Sequence, residues 1–189
     1  MKIRIASQSF VSFAALLLFS IAAARATTLE SIPLARMSRI ATVIVRARCI
    51  SNSAAWDQGE IWTFTSFSVL DVWKGSPTAR ISIRLLGGTV GQLASTVSAV
   101  PRFQPGEEVI LFLEPTRDGS LSVVSWQQGT FRIRHDPRTG AEIVTQDTAS
   151  LATFNPQSRR FETIGIRSLA LDAFRARVDS ALAPQGAQQ

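Results

Sequence analysis

The chain has one cysteine, one histidine and no tyrosine in 189 residues. One cysteine cannot close an internal disulfide, so a disulfide scaffold is excluded. One histidine rules out a His-rich zinc site and any chemistry that needs a pair of imidazoles. Charged side chains make up only 18% of the sequence. With 11 Phe and 4 Trp, there is enough apolar mass to bury a sizeable core, which excludes global disorder. The length suits one domain.

What is present begins with an export signal. Lys2 and Arg4 precede a stretch from Phe10 to Ala24 that is apolar apart from a few serines, and it ends in Ala24-Arg25-Ala26. Signal peptidase admits only small side chains at the two outer positions of that triplet, so cleavage is expected after Ala26. A retained membrane anchor is the alternative, but the uncharged run is near the minimum that spans a bilayer and ends in Ala. No cysteine follows it, which closes the lipoprotein route. The expected destination is the periplasm or the medium, with membrane contact only during export.

Three of the 20 basic residues, Lys2, Arg4 and Arg25, leave with the signal, and the net charge falls from +6 to +3. The remaining cations are scattered, and all but Lys74 are Arg. Arg132/Arg134 and Arg159-Arg160 read as solvated faces, because a nucleic-acid stripe needs clustered cations interleaved with aromatics. No nucleic-acid partner is expected.

Apolar periodicity organises the rest. Leu34, Met37 and Ala41 recur at helical spacing, with Pro33 in the first turn and Ser31 as a cap. Thr42–Ile50 alternates as a half-buried strand, with Val43, Val45, Ala47 and Cys49 on the apolar side and Arg46 and Arg48 on the other. Ser51–Gly59 reads as a loop. Glu60–Trp73 reads as a long strand with a bulge near Ser66–Ser68. Arg80–Leu86, Val109–Leu113, Leu121–Trp126, Phe131–His135 and Ala141–Thr145 are further strands separated by turn signals, and Gly87–Val100 is a long loop or irregular strand. Asp147–Gly165 is polar and irregular. Leu171, Phe174, Val178 and Leu182 then define an amphipathic helix with Ser168 as its cap. The expected fold is all-β with minor α. Residues 1–26 form the signal, 27–146 a β-barrel, 147–167 a connector, and 168–189 the C-terminal helix and tail.

The run Ala41-Thr-Val-Ile-Val-Arg-Ala-Arg48, followed by Phe67-Ser-Val-Leu-Asp-Val-Trp-Lys-Gly75 and later by Gly106-Glu-Glu-Val-Ile-Leu-Phe-Leu113, resembles the netrin-like domain. The best-known members of that family are the tissue inhibitors of metalloproteinases. The Trp-Lys-Gly turn, the Pro-Arg-Phe-x-Pro-Gly-Glu-Glu segment and the Gln-Gly-Thr-Phe step also resemble small exported bacterial proteins of uncharacterised function. The resemblance spans about Ile40 to Ile133 and implies an OB-fold-like β-barrel. In the metalloproteinase inhibitors an N-terminal Cys chelates the protease zinc and disulfides hold that end in place. Here the mature chain would start Thr27-Thr28, with only Leu34 and Met37 expected to hold it by packing.

Candidate residues follow. Cys49 lies on the apolar side of its strand, where burial raises a thiol pKa and makes it inert, with an intermolecular bridge or a reactive thiol as the alternative. His135 reads as a surface turn residue. Glu107 and Glu108 are strand neighbours pointing to opposite faces, which argues against a paired acid/base site. Gly87, Gly88 and Gly91 lack the Gly-Lys-Ser/Thr of a phosphate loop and read as positive-φ loop residues. Trp56, Trp62, Trp73 and Trp126 either pack in the core or form an aromatic platform beside the loops. No cofactor or metal is expected. The favoured function is a non-enzymatic exported binding module for a protein partner, with Trp56, Trp62, Gly87, Gly88 and the terminal Thr27 and Thr28 as candidate interaction residues. The alternatives are inhibition of an exported metalloprotease through the mature N-terminus and a hydrolase with an unrecognised site.

Overall fold

The computed structural model describes residues 30–150, 152–163 and 165–184. The expected export signal, Thr27 and Thr28 lie outside the described residues. A helix α1 (Leu34–Ile40) leads into two long strands, β1 (Val43–Asp57) and β2 (Glu60–Lys74), and then β3 (Arg80–Leu86). A small hairpin, β4 (Gly88–Val90) and β5 (Leu93–Ser95), precedes β6 (Glu108–Pro115) and β7 (Leu121–Val123). Next come β8 (Thr130–His135) and β9 (Glu142–Gln146), the short pair β10 (Thr153–Asn155) and β11 (Arg160–Glu162), β12 (Leu169–Ala170) and helix α2 (Leu171–Leu182). The expected β-rich chain with a C-terminal helix is what the residues form.

The principal sheet runs β1-β2-β3-β7-β6-β8-β9-β12, with β1 also paired to β6. Neighbours are antiparallel except β3 and β7, which meet in parallel at Ile83 and Leu121. Ser51–Gly59 is not a loop. The ladder continues through Ser51–Asp57 against Glu60–Ser66 and turns over Gln58 and Gly59, both at positive φ. Two positive-φ residues match the right-handed strand twist of a hairpin. Backbone pairing carries this stretch even though its side chains are small and polar.

The bulge foreseen near Ser66–Ser68 lies on the partner strand. Ile50 is the extra residue opposite Ser66 and Phe67, and Leu70 and Trp73 are extra residues on β2. Each insertion bends the strand and increases its twist. Gly87–Val100 contains the β4–β5 hairpin, and Asp147–Gly165 contains β10–β11, so neither is merely irregular.

The β1–β6 ladder is buried on both faces, not one. Val45, Ala47, Cys49, Val109, Leu111 and Leu113 face an inner cluster with Phe67, Ile81, Ile83, Leu85 and Val123. Ile44, Ile110 and Phe112 face an outer cluster with Met37, Phe131, Val144, Phe174 and Val178. Sequence alternation marked only the first of these faces, because Arg46 and Arg48 interrupt the second. Both arginines are ion-paired: Arg46 to Glu108 at 2.6 Å and Glu142 at 2.5 Å, and Arg48 to Glu108.

The turn Trp73-Lys74-Gly75 ties this arrangement together. Trp73 packs at 5.9 Å from Phe174. The Lys74 ammonium donates to the carbonyls of Ser38 at 2.9 Å and Arg39 at 2.8 Å, and to that of Ala41, closing the C-terminal end of α1. A cation there satisfies orphan carbonyls and complements the helix dipole. Gly75 has φ +80°, and a Cβ at that position would sit 2.6 Å from the Thr42 carbonyl oxygen. Neither expected serine cap forms: α1 begins after Pro33 and α2 after Ala170, both without a side-chain cap bond.

Candidate functional site

Strand parity places Trp62, Arg84 and Asp57 on one face. Trp62 pairs with Ala55 and Leu86, Arg84 with Phe64, and Asp57 with Glu60, all on the side turned away from the inner core. The Arg84 guanidinium lies 3.9 Å above the Trp62 ring centroid, a stacked cation–π contact. Arg84 is held from two sides, by Asp57 at 2.6 Å and by Asp118 in the β6–β7 turn. Its side chain is 13% exposed.

Asp118 is itself fixed by its turn. Its Oδ1 accepts from the Ser120 hydroxyl at 2.6 Å and the Ser120 N–H at 3.1 Å, and also from the Thr116 hydroxyl. These bonds, the Ser120 hydroxyl foremost, hold its carboxyl well below the usual range, because they favour the charged form. The group stays anionic and keeps its grip on Arg84.

Trp62 and Arg84 line a cavity of about 560 Å³ together with Glu114, Trp126 and others, and Asp57 and Asp118 act on it through Arg84. Two N–H groups of these residues, Trp62 Nε1 and Arg84 Nε, are buried without a hydrogen-bond partner among the described residues. An unsatisfied buried donor costs about 1–3 kcal/mol. Ser125 and Trp126 in the cavity lining hold φ of 48° and 56°, a conformation that is strained for a bulky side chain. Orphan donors, strained backbone and the Glu114 carboxylate converge on one notch. It can offer N–H donors and a carboxylate acceptor beside an aromatic ring, which is recognition chemistry.

The four tryptophans do not make one platform. Trp56 pairs with buried Ile61, on the opposite face of the hairpin from Trp62, and is 52% exposed at its tip. Trp73 packs on the outer cluster and Trp126 against the inner one. Gly87 and Gly88 are buried at the β3–β4 junction, not in an open loop. A Cβ on Gly88 would sit 2.5 Å from Thr63 Oγ1, so these glycines permit close approach of backbone to the hairpin.

Cys49 is 2% exposed, and burial, with Glu107 nearby, pushes its thiol pKa up. His135 is exposed at the end of β8, 3.9 Å from Glu142. Glu107 and Glu108 separate as expected, the first pairing with Arg132 at 2.7 Å and the second with Arg46 and Arg48. Burial pushes the Glu108 carboxyl up, but the hydrogen bonds from Arg46 and Arg48 outweigh it and the pKa is lowered.

The N-terminal segment is held by more than Leu34 and Met37. Gln128, 2% exposed, accepts from the Ile32 N–H at 2.8 Å and donates to the Glu30 carbonyl at 2.7 Å. Its side-chain amide thus imitates a neighbouring strand. Gln146 donates to the Gln128 carbonyl at 2.7 Å, and the Ser31 N–H donates to the Phe154 carbonyl at 3.0 Å. Extended residues committed to this clamp are why the helix starts only at Leu34.

Arg84, Asp118 and Gln128 were not singled out by sequence reasoning. Arg84 had a signal, a lone cation at the centre of Ile-Ser-Ile-Arg-Leu-Leu, and Asp118 sits in a Asp-Gly turn. Gln128 had none. Comparison with protein-family models and with characterised proteins finds no match to this chain.

Proposed function

We propose that this chain is an exported, non-enzymatic binding module built on an OB-fold-like, netrin-like β-barrel, and that it recognises a protein partner at the Trp62–Arg84 notch. The barrel reading is supported by the circular order of pairings, β1-β2-β3-β7-β6 and back to β1, with β3 and β7 parallel. Barrels of this kind bind on the face of the second and third strands beside the adjoining turns, where the notch lies. The observation that carries the reading is the pair of N–H groups of Trp62 and Arg84, buried and unpartnered among the described residues. The test is photo-crosslinking from position 86 in the exported fraction. A partner captured by the natural chain should be lost with Arg84→Ala and kept with Trp56→Ala. Equal capture by both variants would overturn the site.

A second reading, inhibition of an exported metalloprotease through the mature Thr27 amine, gains support from the Gln128 clamp. It does the holding that disulfides do in the inhibitors this chain resembles, and so lowers the ordering cost of binding. One extra residue ahead of Thr27 should abolish inhibition. Unchanged inhibition on extension removes this reading.

A further inference from the structure

A second cavity, of about 610 Å³, opens over β8 and β9, and among the described residues the side chains that line it are polar. Residues two apart on a strand point the same way, about 6.5–7 Å from each other. Arg132 and Arg134 of β8 therefore project to one side, with Thr145 of β9 opposite Arg132. Arg167 joins them from the segment leading into β12, and the Thr145 hydroxyl donates to its carbonyl at 3.0 Å.

The three guanidiniums play different parts. Arg132 is not a solvated cation. Asp147 takes its Nε at 2.6 Å and its Nη2 at 2.9 Å, Glu107 takes Nη1 at 2.7 Å, and the Arg102 carbonyl accepts from Nη2 at 2.7 Å. That pairing fixes it as a rigid wall of the cavity. Arg134 and Arg167 are exposed, and among the described residues neither has a carboxylate partner. Asp147 is the one acidic residue in the lining, and both its oxygens already serve Arg132. Among the described lining residues the charge left unpaired is cationic, presented by two guanidinium forks beside the Thr163 hydroxyl.

We propose that this cavity binds a small ligand carrying phosphate or sulfate groups, of about the size of a sugar phosphate. Guanidinium forks match such oxyanions with two parallel hydrogen bonds, and no large apolar side chain among the described lining residues offers a lipophilic ligand a contact. The volume is within the range of small-molecule sites, about 300–1,000 Å³. The Trp62 notch plays no part in this assignment.

The test is calorimetric titration with pyrophosphate and, separately, with inorganic sulfate. The natural chain should bind at least one of them, the preferred anion naming the ester. Affinity should fall at least tenfold in Arg134→Ala/Arg167→Ala and stay unchanged in Arg80→Ala, which removes an equally exposed arginine outside the cavity. Equal affinity in the double variant, an equal loss in Arg80→Ala, or no binding of either anion would overturn the proposal. Both replaced side chains are exposed, so the double variant should keep the natural melting temperature. Should it unfold, Arg134→Gln and Arg167→Gln singly must each weaken binding for the proposal to stand.

Discussion

The two sides of the β1–β6 ladder are packed with different materials. The inner cluster is mostly aliphatic, with a single edge-to-face aromatic pair, Phe67 and Phe103, at 5.1 Å. The outer cluster is organised by aromatic rings: Phe174 lies 4.7 Å from Phe131, 6.4 Å from Phe112 and 5.9 Å from Trp73. The inner side draws on residues between Val43 and Trp126 and on neither α-helix. The outer side needs α1 and α2, from the two ends of the described chain, to arrive together. A strand ladder can therefore serve two cores with separate folding requirements, since alternation delivers odd residues to one and even residues to the other.

The strongest way to break that distinction is Phe174→Ala, expected to cost about 3–5 kcal/mol. Hydrogen exchange should show β8 and β9 losing protection before β2 and β3. Simultaneous loss throughout would mean that the two clusters melt as one. Smaller, and aimed at the seam, is Gly129→Ala. A Cβ there would meet the Val124 carbonyl oxygen at 2.5 Å and Val123 Cγ1 at 2.9 Å, and overpacking of this kind costs about 1–3 kcal/mol. Denaturant midpoints measure it, and an unchanged midpoint would show that the seam is looser than its geometry.

Glu108→Gln tests the ion pairs at the edge of the outer side, with an expected loss of about 2 kcal/mol at neutral pH. The folded pKa of Glu108 is lowered. Its contribution is therefore complete above the unfolded value of about 4.3 and is lost as pH falls through the folded value. The gap between natural and variant melting temperatures should close in acid, and a constant gap would point to packing instead of charge. The smallest effect is expected from Trp56→Ala at the exposed hairpin tip, within about 0.5 kcal/mol. A larger loss would show that the tip is packed on something.

Much of the architecture was legible because hydrophobic period is a local property. Ile81, Ile83 and Leu85 alternate and are all buried, and Phe174 and Val178 mark the buried stripe of α2. Cys49 went to the core for the same reason. Ser51–Ala55 was misread because small polar residues carry no pattern, whereas the pairing that makes them a strand is supplied by Trp62–Ser66 across the hairpin. The candidate site was only half legible. Trp62 stood out as an aromatic, but its partners come from the tip of β1, from β3 and from the β6–β7 turn, and no local spacing links them.

The cysteine count by itself determined that no disulfide can form within this chain, and apolar periodicity that a helix follows a β-rich domain. Only the tertiary structure decided that Gln128 would clamp residues 30 and 32, that Arg84 would lie over Trp62 between two carboxylates, and that three arginines would share one cavity. The physical reason is range. Periodicity reports which face of an element is apolar, while hydrogen bonds and ion pairs between residues far apart in sequence exist only once register and packing have brought their atoms within a few ångströms.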